Sequence, residues 1–299
     1  ELNLENARID QSDAFGALLP SLNGSLSASA NTGLALDPTT NNLVSATIFS
    51  ASGSMTSSVT LFDGLRNYNR IERAKLNVIS GQYRLDDFKD DIKLSVANAY
   101  LQVLSNKESL KVFKAQNEVT TQDLKRTKEL VDSGVVPRGD LLNIEATVAG
   151  QEQQIVNAES LILISRISLA QMLGITDYEN FDIAEEEFEI PPSDILNNSA
   201  KVIFDKALTF RNDIKFALSG VELAEKDLEI SKGAKYPTVG AFINYNTRYS
   251  DQNIDRITGE RVPLSDQLYL NDGISYGAQM NVPIFNGWSV RNNIKRSKI

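Results

Sequence analysis

Four segments of the chain alternate between apolar and polar residues. In the first, Leu22, Leu26, Ala28 and Ala30 share a parity with Gly24, and Asn23, Ser25, Ser27, Ser29 and Asn31 hold the other. In the second, Phe49, Ala51, Gly53, Met55, Val59 and Leu61 lie opposite Ser50, Ser52, Ser54, Thr56, Ser58 and Thr60. The third sets Val239, Ala241, Ile243, Tyr245 and Tyr249 against Thr238, Asn244, Asn246, Arg248 and Ser250. The fourth sets Ile274, Tyr276, Ala278, Met280, Val282 and Ile284 against Ser275, Gly277, Gln279 and Asn281. Period-two alternation predicts β-strands with one greasy and one wet face. Each run has, or nearly has, the roughly 9–11 residues of a tilted membrane strand. Any one of them also fits a half-buried sheet in a soluble domain. The polar faces, however, are nearly all small hydroxyl and amide groups, as a barrel lumen would be, and the apolar faces are modest, as lipid-facing positions are. On the barrel reading Ser52, Ser54, Thr56, Ser58, Gln279 and Asn281 face the lumen, and Val59, Leu61, Met280 and Val282 face lipid.

Between these segments the period changes. From Leu65 to Ser133 there is no proline and one internal glycine, Gly81. Apolar or small residues recur at steps of four and three through Ile92, Val96, Ala99, Val103, Asn106, Leu110 and Phe113. The series continues through Asn117, Thr120, Leu124, Thr127 and Val131, a heptad-like helical seam. A continuous helix over 65–133 would run roughly 100 Å, too long for the inside of a compact domain. Gly134-Val135-Val136-Pro137 stops it with a C-terminal glycine followed by proline. Asp140 is expected to help start a returning helix with the seam Leu141, Ile144, Val148, Gln151, Ile155, Ala158, Ile162, Ser165, Leu169. That helix ends at Leu173-Gly174. An acidic stretch follows, with Glu185-Glu186-Glu187 and Pro191-Pro192. Helical periodicity resumes near Ser199 and runs to Ser231, interrupted near Arg211-Asn212-Asp213. The two shorter helices, roughly 54 and 50 Å, together match the long one. The expected shape is a long rod beside two stacked half-rods, needing lateral neighbours to bury its surface.

The chain repeats itself at an offset of 223 residues: Leu61-Phe62-Asp63-Gly64 matches Ile284-Phe285-Asn286-Gly287. Across 61–75 against 284–298, six of fifteen positions are identical, enough to carry the match into the following helix. Upstream, Leu19-Pro20 pairs with Tyr236-Pro237, each closing a helix and opening a strand. The duplicated unit is helix, proline, strand, loop, strand, Phe-(Asp/Asn)-Gly, helix.

Leu18-Leu19-Pro20 before a strand, Leu61-Phe62-Asp63-Gly64 after one, and Ala99-Tyr100-Leu101 in the long helix recur in one family in this order. So do Leu173-Gly174 and Arg211-Asn212-Asp213-Ile214. With these motifs the sequence resembles the TolC family of outer-membrane efflux proteins. The resemblance implies an α+β membrane protein: a transmembrane antiparallel β-barrel, four strands per subunit and twelve in a homotrimer, continuous with a long α-helical barrel of coiled-coil hairpins in the periplasm. It divides the chain into the end of the first helix (1–20), strands 1 and 2 (21–62), the long hairpin (63–174) and an acidic equatorial insert (175–204). The second repeat's helix (205–235), strands 3 and 4 (236–286) and the start of a second long helix (287–299) follow. The implied partners are outer-membrane lipid, a periplasmic adaptor (membrane fusion protein) and an inner-membrane pump, in an efflux or type I secretion system. The implied adaptor-docking tip is Gly134, Val135, Val136 and Pro137. The chain opens in what reads as the middle of a helix and stops as the second long helix begins, so further sequence is expected on both sides. The family's gate belongs to that later part.

Composition narrows the chemistry. Thirty Lys and Arg against thirty-nine Asp and Glu give a net charge of −9, which argues against a nucleic-acid partner. Cysteine and histidine are both absent, removing thiol nucleophiles, the commonest general base and the commonest metal ligand. No run of about 18 consecutive apolar residues occurs. Asp86-Asp87, Asp90-Asp91 and Glu185-Glu186-Glu187 could be read as cation ligands, but solvated helix faces and an acidic loop explain them without one. Trp288 is expected to pack where a strand turns into a helix. No enzyme activity, cofactor or metal is expected. The other function class that fits is a structural or adhesive trimeric coiled-coil fibre with a β cap.

Overall fold

The computed structural model describes residues 1–36, 40–184, 198–255 and 257–299. They form two compact units, residues 1–85 with 210–299, and residues 86–209.

The first unit is built on a sheet. Helix α1 (Leu2–Gly16) leads through Pro20 into β1 (Ser21–Leu36), which turns back as β2 (Leu43–Phe62). Helix α2 (Arg66–Asp132) follows and contributes residues 66–85 here. The chain re-enters through α5 (Asn212–Gly233), β3 (Thr238–Ser250), the short α6 (Leu264–Leu270), β4 (Gly273–Asn281) and α7 (Ser289–Lys298). The strands pair antiparallel in the order β1-β2-β3-β4. Proline stands before β1 and β3 because it fixes an extended entry and cannot continue a helix. Each exit turns through two left-handed residues, Gly64-Leu65 (φ 74° and 65°) and Gly287-Trp288 (φ 59° and 69°). Leu65 and Trp288 have a Cβ that opposes this conformation by about 1–2 kcal/mol each, so the strand-to-helix turn holds them there. Asp63, 6% exposed, helps start α2 by accepting the Asn67 N–H at 3.0 Å. Small residues close the helices on one another. The Ser219 hydroxyl donates to Ser80 at 2.8 Å, and an added Cβ at Gly81 would sit 3.3 Å from Leu4 Cδ1.

The second unit holds residues 86–132 of α2, the returning α3 (Arg138–Met172) and α4 (Ala200–Phe210). The helical seam reads directly in the burial. Every seam position from Val96 to Val131 and from Leu141 to Leu169 is buried or half-buried, while Ile92 is exposed. Val103, Leu169 and Ala170 are sealed at 0–1% exposure. The polar seam residue Asn106 donates to Ser165 Oγ at 3.0 Å, and beside the seam Lys114 pairs with Glu159 at 2.8 Å. Among the described residues α3 alone is long and apolar enough to cross a membrane, with an 18-residue stretch of mean hydropathy 1.2. The Asn106 and Lys114 contacts instead tie it to α2. Helix α3 starts at Arg138 after Pro137, so Asp140 lies inside its first turn and does not cap it. There its charge still favours the positive end of the helix dipole. Residues 185–197, with Glu185-Glu186-Glu187 and Pro191-Pro192, lie outside the described residues.

Candidate functional site

Strand register turns four separate alternations into two continuous faces. Residues paired across an antiparallel ladder point to the same side. Ser27 faces Ser52, Ser52 faces Arg248, Thr56 faces Asn244, and Gly240 faces Gln279. Ser54 and Ser58 face Ser25 and Ser21, and Asn281 faces Thr238. All six residues expected on the wet side, Ser52, Ser54, Thr56, Ser58, Gln279 and Asn281, therefore share one face. Side-chain hydrogen bonds run across it: Ser21–Ser58 at 3.1 Å, Ser25–Ser54 at 2.8 Å, Ser27–Ser52 at 2.7 Å and Thr56–Asn244 at 2.8 Å. Arg248 is the single charged residue on the four strands, and it lies on this face.

The opposite face carries Leu22, Leu26, Met55, Val59, Ile243, Tyr245, Ile274 and Met280. From Tyr249 to Val239 along β3 the apolar face spans ten residue steps. At about 3.3 Å per residue and a tilt of about 40° that rises roughly 25 Å, the height of an outer-membrane apolar band. Phe49 and Tyr249 stack edge to face at one end of it, with ring centroids 6.4 Å apart.

Three residues expected on this apolar strand face do not sit on the regular ladder. Leu61 falls in a bulge between Thr60 and Phe62 and has no partner on β3. The bulge carries Phe62 opposite Val239, onto the apolar side. Val282 and Ile284 lie beyond β4, which ends at Asn281 because Pro283 cannot donate to a ladder. The polar face is also less uniform than its pattern. Phe242 sits on it and fills the space over Gly277, where a Cβ would come 3.2 Å from the ring.

Helix α6 has no counterpart in the sequence reading. Its Gln267 is 1% exposed and closes the end of β3, accepting the Ser250 N–H at 3.0 Å and donating to the Ser250 and Val262 carbonyls. Pro263 followed by Ser265 and Asp266 was the available start signal. Leu264 and Leu268 line a groove with Leu26, Ala28, Ala51 and Gly53, so the apolar face is partly covered at this level.

In the second unit, the turn Gly134–Pro137 is closed by its own backbone. Val135 N–H donates to Leu130 O at 2.8 Å and Gly134 N–H to Val131 O at 3.0 Å, with Gly134 left-handed at φ 76°. This pair of hydrogen bonds satisfies the helix end. Val136 is half-buried, yet Val135 is 69% exposed. Elsewhere in the unit Lys107, with a side chain 14% exposed, pairs with Asp182 at 2.9 Å. That hydrogen bond, the Ile183 N–H and the charges of Lys107 and Arg166 hold the Asp182 carboxyl below its ordinary range.

The acidic pairs of α2 engage their own helix. Asp86 faces Lys89 at 3.7 Å and Asp90 faces Lys93 at 3.1 Å. No group of three or more acidic residues able to hold a metal occurs among the described residues. Trp288 is 57% exposed, with the Arg291 guanidinium 5.2 Å from its ring centre.

The sequence matches the family described as outer membrane efflux protein over residues 1–175. The chain belongs to that family. Solved structures share the fold. The outer membrane protein VceC from Vibrio cholerae superposes with a TM-score of 0.80 at 14% identity, covering 99% of this chain and 67% of its own. The Campylobacter jejuni CmeC outer membrane channel superposes at 0.81 and 16% identity, covering 99% and 60%. The chain thus spans about three-fifths to two-thirds of the length of these two proteins. No curated protein sequence matches it.

Proposed function

We propose that the protein is the outer-membrane exit duct of a tripartite efflux or type I secretion system, a passive homotrimer that performs no chemistry. One observation carries this reading. A four-stranded sheet with a continuous wet face and a continuous greasy face leaves β1 and β4 as free edges, and free edges cannot stand in lipid. Closure by further copies turns the wet face into a lumen and the greasy face toward lipid. Three copies give the twelve strands that the family resemblance implies. The helices then extend into the periplasm, and the Gly134–Pro137 turn offers Val135 to a periplasmic adaptor that couples the duct to an inner-membrane pump.

The faces test the reading. Val59→Arg or Met280→Arg should reduce trimer in the outer membrane, since a cation near the bilayer midplane costs about 2–4 kcal/mol. Ser58→Arg or Gln279→Arg should assemble normally, because water reaches a lumen wall. Equal assembly of both sets would contradict the duct.

A further inference from the structure

The two strand hairpins are copies of each other in register. Ser21 faces Ser58 in the first and Thr238 faces Asn281 in the second. Adding 217 to the first strand's numbers and 223 to the second's carries every pair from Ser21–Ser58 to Ser29–Ser50 onto a pair of β3–β4. The flanking helices keep these offsets. Gly16-Ala17 corresponds to Gly233-Ala234, each alanine ending its helix in nearly the same conformation, φ −64° and −65°. Gly64-Leu65 corresponds to Gly287-Trp288, all four left-handed.

Where the first repeat meets the second inside the chain, strand pairing, a glycine–glycine approach and an ion pair define the joint. Thr56 faces Asn244 and Ser58 faces Phe242 across β2–β3. A Cβ on Gly233 would come 2.6 Å from the Gly64 carbonyl oxygen, so the two backbones touch. Arg73 holds Asp227 with two parallel hydrogen bonds, Nε to Oδ1 at 2.6 Å and Nη2 to Oδ2 at 3.1 Å.

The same offsets carry each contact onto the two free ends. Thr56–Asn244 becomes Gln279–Ser27, Ser58–Phe242 becomes Asn281–Ser25, and Ser57–Ile243 becomes Met280–Leu26. Gly64–Gly233 becomes Gly287–Gly16, and Arg73–Asp227 becomes Arg296–Asp10. The chemistry matches at each place. Lumen-side residues meet lumen-side residues and Met280 meets Leu26. Two glycines meet, each with nothing within 4 Å of an added Cβ, and a cation meets an anion. Asp10 and Arg296 are both exposed.

We propose that β4 and α7 of one copy receive β1 and α1 of a second copy in the register Gln279–Ser27, with Gly287 seated on Gly16 and Arg296 paired with Asp10 of that copy. This rests on the duct reading and deepens it by fixing how the ring closes: the joint between copies repeats the joint within each.

No cysteine lies among these 299 residues, so each introduced pair is read by disulfide mapping in the full-length protein in outer membranes against its two single-cysteine controls. Facing strand residues lie about 4.5–5.5 Å apart, within disulfide range, and residues two positions off about 7–8 Å, outside it. Oxidised Ser27→Cys/Gln279→Cys should give a ladder of covalent dimer and trimer. Ser25→Cys/Gln279→Cys and Ser29→Cys/Gln279→Cys should give less than a tenth as much. Arg296→Asp should lower the trimer's melting temperature in detergent, and adding Asp10→Arg should restore it. A ladder from either shifted pair in place of the first would overturn the register while leaving the ring intact. Monomers in detergent, with no ladder from any pair, would overturn the duct itself.

Discussion

The Gly64 carbonyl packs directly against Gly233, where the turn out of β2 crosses the end of α5. A Cβ at Gly233 would also come 2.5 Å from Arg66 Cγ, and one at Gly64 would overlap the Gly233 carbonyl at a φ of 74°. Gly233→Ala is therefore expected to weaken the strand-to-helix joint and Gly64→Ala more so, since the latter adds about 1–2 kcal/mol of backbone strain. Thermal dissociation of the purified protein should start at lower temperature for both. Gly139→Ala, with nothing near its Cβ position, should leave it unchanged.

The tip reading predicts a separation of function. Val135→Asp and Gly134→Asp place an unpaired charge in the proposed adaptor contact, and neither site lies in the barrel unit. Outer-membrane trimer should remain at wild-type level while export falls at least tenfold. Normal export would remove the tip from the mechanism.

Acid should loosen the second unit through Asp182. Its carboxyl titrates below the ordinary value, so the Lys107 pair stabilises the fold above about pH 4 and loses that contribution as pH falls through the folded value. The pair is half-exposed on the acid's side, so the effect is below about 1 kcal/mol and larger at low salt. Melting curves between pH 6 and 3 should fall more steeply for the wild type than for Asp182→Asn. Parallel curves would rule this pair out as a contributor.

Arg248 should set the charge preference of the lumen. Twelve strands at about 4.8 Å spacing and a tilt of about 40° give a barrel radius of roughly 12 Å. Three inward guanidiniums then lie within about a Debye length of the axis at 0.1 M salt. In bilayers under a KCl gradient, Arg248→Glu should shift the reversal potential toward cation selectivity and Arg248→Ser about half as far. An unchanged potential would place the selectivity elsewhere.

The sequence made legible whatever depends on period and punctuation. Period two put Ser52, Thr56 and Gln279 on one face before any pairing was known, because a half-buried strand has no other way to sort its side chains. The four-three steps identified the helical seam down to Asn106, whose partner Ser165 lies on the other seam. Features set by local backbone events were hidden. The bulge that takes Leu61 off the ladder leaves no mark in the alternation. Pro283 did mark the end of β4, but the apolar parity of Val282 and Ile284 masked it. Nothing in the sequence marks Gly233, since its close approach to the Gly64 backbone shows only in three dimensions.

A duct requires the Ser58 side of the sheet to meet water and the Val59 side to meet lipid, and these neighbouring residues on β2 can be probed separately. Single cysteines at Ser58 and Val59, in cells with intact outer membranes, would be challenged with a small water-soluble maleimide that permeates the duct but not lipid. The duct predicts strong labelling at position 58 and at least tenfold weaker labelling at position 59, with the same contrast between Gln279→Cys and Met280→Cys. Equal labelling within each pair, or labelling of 59 and 280 alone, would contradict a polar lumen and an apolar lipid face.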